Sequence, residues 1–372
     1  MGLTSRKVLL LAVLAAVLLF AVTVWVWPRL ARRGVRPVLG RVGLLFATQL
    51  ALFAAVGLAA NDSFLFYGSW ADLFGRQQDP GVVVDHASDT GSVTVVSTRR
   101  TSVPAGTGPS ASGRIEKVVI AGPRSGIDSP AYVYLPPEYF QPRYAHRTFP
   151  AAVVLTGYPG TAENLVSGLD FPRTAWRQVR AGRARPMILV MLRPTVAPPR
   201  DTECVDVPGG PRTETFFAED VPNAVGGTYR VGAGARSWGF IGDSTGGYCA
   251  LKIALHHPDR YAAGAGLSAY YKAADDPTTG DLFHGDTRLR DRSDLLWSLD
   301  HGPAPKTSFL VTSSKEGEDN LGATRAFIAK VRAPARVSSI ILDSGGHNFN
   351  TWRREIPAAL EWLSGRLAVS GR

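Results

Sequence analysis

One stretch of this 372-residue sequence predicts a strand, a sharp turn and a helix in direct succession. The segment GFIGDSTGGYCAL, residues 239–251, places Ser244 between glycines at the end of an apolar run. The apolar residues from 238 to 241 predict a buried strand, and the residues after the turn show a helical pattern that Pro258 stops. Glycines are needed at such a turn because the strand and the helix approach each other closely and the backbone at the serine is strained.

Beyond Arg114, short apolar runs alternate with helical patterns, which predicts a mostly parallel sheet covered by helices on both faces. The first two runs are expected to form antiparallel edge strands. The predicted strands are residues 114–121, 131–139, 150–157, 186–192, 237–242, 262–268, 306–313 and 336–343. A final helix from Trp352 carries its apolar residues on one face, which predicts that they belong to the core: Trp352, Ile356, Leu360, Leu363 and Leu367.

Two serine-enzyme signatures compete for Ser244. Residues 242–246 match G-x-S-x-G, the strand-to-helix turn of α/β-hydrolases, and also approximate the G-D-S-G-G of chymotrypsin-like proteases. The protease requires an all-β fold with a histidine and then an aspartate ahead of the serine, and neither His86 nor His146 lies in a fitting strand context. We therefore interpret Ser244 as a nucleophile on a strand-to-helix turn, the alternative being a serine with a purely structural role.

The sequence downstream of Ser244 supplies a histidine and several carboxylates at the ends of strands. His347 follows the last predicted strand, and Glu316, Glu318 and Asp319 follow the one before it. Because the carboxyl ends of parallel strands meet at one edge of a sheet, we expect these side chains to approach the serine. His347 is the expected general base, and any of the three carboxylates could orient its imidazole.

The tetrahedral intermediate of such chemistry needs hydrogen-bond donors for its oxyanion. The backbone N–H of Thr245 is one expected donor, and the loop after the strand at residues 150–157 is expected to supply the second. The long connection 193–216 follows another strand end and is expected to line the pocket. The sequence has no His or Cys pair at metal-ligand spacing and no glycine-rich nucleotide loop after a strand, so we expect neither metal nor cofactor.

The N-terminal residues predict a membrane anchor. Residues 8–27 and 42–60 are apolar runs of about the length that spans a bilayer core. The link between them holds five arginines, against Arg6 and Lys7 before the first run, so the positive-inside rule places the link in the cytoplasm and everything after Ala60 outside. A cleaved signal peptide is disfavoured because the first run is long and no cleavage site follows it, and the arginine-rich link disfavours a buried hairpin of a soluble protein.

The region between the second apolar run and the catalytic part has two sections. Aromatic residues within 61–75 predict a segment at the level of the lipid head groups, the alternative being an amphipathic helix packed on the globular domain. Residues 76–113 are rich in Ser, Thr, Gly, Pro and Asp and are interpreted as a linker, extended in places. The predicted domains are an anchor over residues 1–75, a linker over 76–113 and an α/β catalytic domain over 114–372.

The two cysteines, Cys204 and Cys249, both fall in the region placed outside the cell. An oxidising environment there would allow them to form a disulfide near the pocket. Two separate buried thiols are the alternative.

Four segments together resemble the esterase D family of α/β-hydrolases, over about the last 260 residues: RSGIDSPAYVYLPPEY, VVLTGYPG, GDSTGGYCALKIALHHPDRYAAGAGLSAYY and GGHNFNTWRREIPAALEWL. That family includes carboxylesterases, S-formylglutathione hydrolases, feruloyl esterases and the mycolyltransferases of mycobacterial cell walls. The resemblance implies an α/β-hydrolase fold and a serine ester hydrolase that needs no cofactor. Two apolar runs ahead of such a domain further resemble membrane-anchored esterases of actinobacteria.

The resemblance also implies roles for individual residues. In esterase members the acid lies a few residues beyond the penultimate strand, which matches Asp319 best and leaves Glu318 and Glu316 as alternatives. In mycolyltransferases the acid is a Glu within the next helix, where the segment ATRAFIAKV offers no carboxylate. The second oxyanion donor is by resemblance the backbone N–H of Tyr158, although Thr156 stands where the family has a histidine.

Charge narrows the choice of partners. The net charge is +10, but the arginines are spread along the chain without a dense basic block, which disfavours nucleic acid as a partner.

The expected function is a membrane-anchored, extracytoplasmic serine esterase that hydrolyses a small-molecule, lipid or glycan ester through an acyl-enzyme. The alternatives are acyl transfer to a cell-envelope sugar or lipid, a catalytically silent envelope binding protein and, less favoured by the resemblance, a peptidase.

Overall fold

The computed structural model of the chain describes residues 6–31, 34–64, 91–100 and 108–368. The chain divides into two compact units, Met1–Asp79 and Pro80–Arg372. Three predicted features lie outside the described residues: the aromatic segment beyond residue 64, most of the linker, and two arginines of the predicted cytoplasmic link, Arg32 and Arg33.

Two long apolar helices make up the described part of the first unit. Helix α1 spans Arg6–Val26 and helix α2 spans Val35–Phe64. Both are long and apolar enough to cross a membrane, with mean hydropathies of 2.9 and 2.1. Many of their large apolar side chains are exposed, while Thr23 Oγ1 and Thr48 Oγ1 lie 2.9 Å apart between the two helices. Helices in lipid typically expose apolar side chains and make polar contacts with each other, and α1 and α2 have both features.

The second unit is built on a nine-stranded sheet with the order β1-β2-β3-β5-β4-β6-β7-β8-β9. Strands β4 to β9 run parallel to one another, whereas the pairs β1–β2, β2–β3 and β3–β5 at one side of the sheet are antiparallel. The strands are β1 Ser92–Arg100, β2 Arg114–Gly122, β3 Ile127–Leu135, β4 Ala151–Leu155, β5 Ile188–Leu192, β6 Trp238–Asp243, β7 Ala263–Leu267, β8 Ser308–Glu316 and β9 Arg336–Ser344.

Helices cover the sheet on both faces. The described helices of six residues or more in this unit are α3 Phe171–Arg180, α4 Val221–Thr228, α5 Thr245–His256, α6 Thr287–Arg292, α7 Leu295–His301, α8 Leu321–Lys330 and α9 Phe349–Arg366. A Cβ on Gly239 of β6 would meet Leu363 of α9, and a Cβ on Gly264 of β7 would meet Ala254 of α5. Gly264 pairs with Phe240, the residue after Gly239, and successive residues of a strand point to opposite faces of the sheet. Gly239 and Gly264 therefore point to opposite faces, so α9 and α5 lie on opposite faces of the sheet.

The central strands explain why the sequence folds in this way. All residues of β4, β5, β6 and β7 are buried, as expected for short, continuous apolar runs in a parallel sheet covered on both faces. The strands predicted from the sequence are all present, and the five apolar residues predicted on one face of α9 are buried. The predicted α/β-hydrolase fold is confirmed.

Nine residues of the predicted linker belong to the sheet. Ser92–Arg100 forms strand β1, which pairs with β2 from Ser92 beside Ala121 to Arg100 beside Arg114. The alternation of Val and Thr in SVTVVSTRR is a strand pattern, but polar residues surround it and it gains its stability from pairing with the apolar strand β2. The sheet therefore begins upstream of residue 114, where the catalytic domain was predicted to start.

Candidate active site

The turn between β6 and α5 holds Ser244 in a backbone conformation that residues other than glycine rarely adopt. Its φ is 53° and its ψ is −121°. A Cβ on Gly242 would lie 2.4 Å from the backbone of Gly246, and a Cβ on Gly246 would lie 2.4 Å from the carbonyl oxygen of Leu155. The flanking glycines are therefore needed for close packing, and the turn exposes the serine at the N-terminus of α5.

His347 contacts the serine directly. Its Nε2 lies 2.8 Å from Ser244 Oγ, a hydrogen-bond distance. The histidine precedes α9, and its ring packs edge-on against Trp352 with 5.2 Å between the ring centroids. Trp352 is itself anchored, because its Nε1 donates to Ser268 Oγ at 2.9 Å. The tryptophan predicted as a core residue thus also supports the histidine.

A buried glutamate lies on the other side of the imidazole. Glu318 Oε1 is 3.8 Å from His347 Nδ1, which is an ion-pair contact longer than a hydrogen bond. The Glu318 side chain is only 1 % exposed, and neither of its oxygens has a hydrogen-bond partner among the described residues. Burial of a carboxylate without hydrogen bonds costs free energy, so this position is better explained by a role beside the imidazole than by packing.

The structure places Glu318, and not the preferred Asp319, beside the imidazole. Asp319 and Glu316 are both exposed, whereas Glu318 is turned inward. The reason is the turn at Gly317, where φ is 93° and a Cβ would lie 2.6 Å from the carbonyl oxygen of Gly345. This close packing of the β8 and β9 loops brings the residue directly after Gly317 to the histidine.

The loop after β4 lies against the nucleophile. A Cβ on Gly157 would be 2.8 Å from Ser244 Cβ. Tyr158, the expected second oxyanion donor, is the next residue in this loop. Thr245 is the first residue of α5, so its backbone N–H has no acceptor within the helix. The two backbone N–H groups predicted as oxyanion donors thus come from segments that flank the same serine.

Two further buried carboxyl groups lie near Ser244 and His347, and sequence reasoning missed both. Asp243 is fully buried and burial raises its pKa to about 7, although its Oδ2 accepts the backbone N–H of Gly157 at 2.9 Å. Glu355 of α9 is also buried, and burial raises its pKa to about 8 against the hydrogen bond from Thr312 Oγ1. Asp243 belongs to the G-x-S-x-G motif, but nothing in the sequence indicates which loop its side chain contacts.

The connection 193–216 reaches Thr245, the residue next to the nucleophile. Asp201 is buried, and burial raises its pKa to about 6 while hydrogen bonds from Glu203 and from Thr245 oppose the shift. Glu203 Oε1 accepts the hydroxyl of Tyr270 at 2.6 Å. Tyr270 in turn interacts with Thr245, so polar side chains link the connection to the first residue of α5.

A disulfide and a buried ion pair fasten the same connection to α5. Cys204 and Cys249 are bonded, with 5.7 Å between their Cα atoms. The fully buried Lys252 donates to the carbonyl oxygen of Cys204 at 2.5 Å and to Glu214 Oε2 at 2.9 Å. Although burial opposes the charge, Lys252 and its neighbours hold the pKa of Glu214 well below its usual range. The structure thus has the disulfide that the sequence left open.

The described residues contain no cluster of side chains that could bind a metal ion. Among the described residues, no group of three or more His, Cys, Asp or Glu side chains lies close enough together to hold a metal ion.

A serine and a histidine in contact at a strand-to-helix turn, on a mostly parallel sheet covered on both faces, define an α/β-hydrolase. Residues 124–363 match the model of the family described as putative esterase. This match spans more than half of the chain, so the chain belongs to that esterase family, in agreement with the resemblance to esterase D.

Solved structures share the fold. An S-formylglutathione hydrolase from Agrobacterium tumefaciens is 18 % identical, with a TM-score of 0.58 over 74 % of this chain and 100 % of that one. A ferulic acid esterase is 19 % identical, with a TM-score of 0.58 over 68 % of this chain and 98 % of that one.

An uncharacterized protein of Corynebacterium glutamicum is a relative by sequence. It is 26 % identical over 272 residues, which cover 68 % of this chain and 62 % of that protein.

Proposed function

We propose that the protein is a membrane-anchored, extracytoplasmic serine esterase that hydrolyses a carboxylic ester through an acyl-enzyme intermediate. The observation that carries the proposal is the 2.8 Å contact between Ser244 Oγ and His347 Nε2 on the strained turn, with Glu318 on the far side of the ring. Membership of the esterase family supports the ester bond as the target.

The proposed reaction uses the side chains in a fixed order. Ser244 Oγ attacks the ester carbonyl while His347 Nε2 takes its proton, and the Glu318 carboxylate stabilises the imidazolium. The backbone N–H groups of Tyr158 and Thr245 stabilise the oxyanion. When the intermediate collapses, the imidazolium gives its proton to the leaving alcohol. Water then repeats the sequence on the acyl-enzyme, which releases the acid and restores the serine.

The external position of the catalytic unit is supported by two observations. The five arginines between the two apolar runs, 8–27 and 42–60, exceed the two basic residues before the first run, which favours a cytoplasmic link. The disulfide between Cys204 and Cys249 fits an oxidising compartment. Alkaline phosphatase fused after Gly75 should be active; an inactive fusion together with an active cytoplasmic reporter at the same site would refute this orientation.

A series of aryl esters with increasing acyl length, tested on the detergent-solubilised full chain, examines the activity itself. Hydrolysis should occur for some members, and Ser244→Ala and His347→Ala should each remove nearly all of it. Because the two residues act as one unit, the double variant should be little worse than either single one. Hydrolysis that persists in folded Ser244→Ala would refute the proposal.

Two further measurements separate the alternative functions. A fluorophosphonate should label Ser244 in the wild-type chain and not in Ser244→Ala, whereas a catalytically silent binding protein would not be labelled. An added alcohol or sugar acceptor should not take up the acyl group faster than water does. Preferential transfer to the acceptor would identify an acyltransferase instead.

A further inference from the structure

We propose that Asp243 is a positioning residue: its buried carboxylate holds the oxyanion loop, defined as residues 156–160, against the nucleophile. The inference rests on the proposed function of the Ser244 site. It concerns the residue directly before the serine, whose side chain does not touch the reacting atoms and acts through Gly157.

The contact joins the ends of two neighbouring strands. Strands β4 and β6 pair in parallel with Leu155 beside Gly242, so the oxyanion loop and the nucleophile turn leave the sheet side by side. Asp243 is the last residue of β6, and its Oδ2 accepts the backbone N–H of Gly157 at 2.9 Å. The carboxylate therefore links the nucleophile turn to the loop that carries Tyr158.

This link controls where the N–H of Tyr158 points. The carbonyl of Gly157 accepts the backbone N–H of Gly160 at 2.8 Å, so both polar groups of Gly157 are engaged. The N–H of Tyr158 belongs to the same planar peptide unit as that carbonyl and points in the opposite direction. Fixing Gly157 at both groups thus fixes the direction of the Tyr158 N–H, which an oxyanion donor requires.

The cost of burying this side chain indicates that it does more than fill space. Asp243 is 0 % exposed, and its Oδ1 has no hydrogen-bond partner among the described residues. Burial raises its pKa to about 7; the hydrogen bond from Gly157 and the nearby His347 oppose that shift. A buried acid with an unpaired oxygen destabilises a fold, so its place next to the nucleophile is better explained by the link to Gly157.

Three substitutions test the link in the detergent-solubilised full chain. Asp243→Ala and the nearly isosteric Asp243→Leu remove the acceptor, and we expect labelling by a fluorophosphonate and kcat for an aryl ester to fall about 100-fold, as when an oxyanion donor is lost. KM should stay within about threefold, because the donor acts on the transition state. Asp243→Asn keeps an oxygen that can accept from Gly157 and should stay within about tenfold of wild type.

Asp220 provides a matched control. Its buried carboxylate also accepts hydrogen bonds from backbone N–H groups, those of Ser125 at 2.9 Å and of Arg124 at 3.2 Å. These two donors belong to the turn between β2 and β3, not to the loop beside Ser244. Asp220→Ala should lower stability and leave the labelling rate of the folded fraction unchanged.

The outcomes are distinct. If folded Asp243→Ala or Asp243→Leu is labelled within threefold of the wild-type rate, the inference is wrong. If Asp243→Asn is as slow as Asp243→Leu, the negative charge and not the link is what matters, and the inference is also wrong. The Leu variant removes a buried acid and so keeps the test open if the Ala variant does not fold. A wild-type chain that resists labelling would instead refute the proposed function.

Discussion

Replacing Glu318 by glutamine is expected to slow ester hydrolysis strongly while leaving the fold intact. Glu318 Oε1 lies 3.8 Å from His347 Nδ1. Two unit charges at that separation attract each other by about 4 kcal/mol at an effective dielectric constant of about 20. Because the His347 side chain is half exposed, water screens part of this attraction. We therefore expect a loss of about 2–4 kcal/mol of transition-state stabilisation, or about 30- to 1000-fold in kcat.

The assay is kcat for the best aryl ester of the series, measured on the full chain in detergent and normalised to the fraction of sites that a fluorophosphonate can titrate. Asp319→Asn and Glu316→Gln are the matched controls, since each removes one exposed carboxylate from the same loop. Both should remain within about threefold of wild type, as surface charges contribute little. If Asp319→Asn is the damaging change and Glu318→Gln is not, the assignment of the acid from the structure is wrong.

Three other variants give expected changes in stability. Replacing both Cys204 and Cys249 by serine opens a cross-link between residues 45 positions apart and should lower the free energy of unfolding by about 4 kcal/mol on the chain-entropy estimate, measured by urea denaturation; an unchanged midpoint would contradict this. Burial raises the pKa of Glu355 from 4.5 to about 8, so between these pH values the folded state holds a proton that the unfolded chain has released. The stability that this group contributes is therefore lost as the pH rises from about 4.5 to about 8. The melting temperature of Glu355→Gln should accordingly rise relative to wild type between pH 5 and pH 9, and a constant difference would refute the shift. Gly246→Ala places a Cβ 2.4 Å from the carbonyl oxygen of Leu155 and should lower the melting temperature and abolish labelling of the serine; normal labelling would show that the turn can widen.

Sequence reasoning succeeded where the pattern is local. The central strands are continuous apolar runs, and the turn at Ser244 is marked by glycines within a few residues, so both could be predicted without long-range information. Strand β1 was missed because its residues are partly polar and it becomes a stable strand only by pairing with the apolar strand β2. Strand pairing of that kind depends on tertiary context.

The choice of the acid shows a second limit. Three carboxylates lie within four residues, from Glu316 to Asp319, and their types alone do not tell which one turns inward. That is decided by the positive φ of Gly317 and by the packing of this loop on Gly345. The role proposed for Asp243 was out of reach for the same reason, since its partner Gly157 is 86 residues away.

Strand β1 has a practical consequence for any soluble version of this protein. A truncated chain that starts at Arg114 would keep Ser244 and His347 but lose Ser92–Arg100, and β2 would become the outermost strand of the sheet. Its backbone N–H and C=O groups would then be free to pair with a strand of another molecule, which is a common route to aggregation. Expression boundaries should therefore be placed ahead of Ser92, and insoluble material from shorter versions would reflect a missing edge strand and not a failure of the catalytic unit to fold.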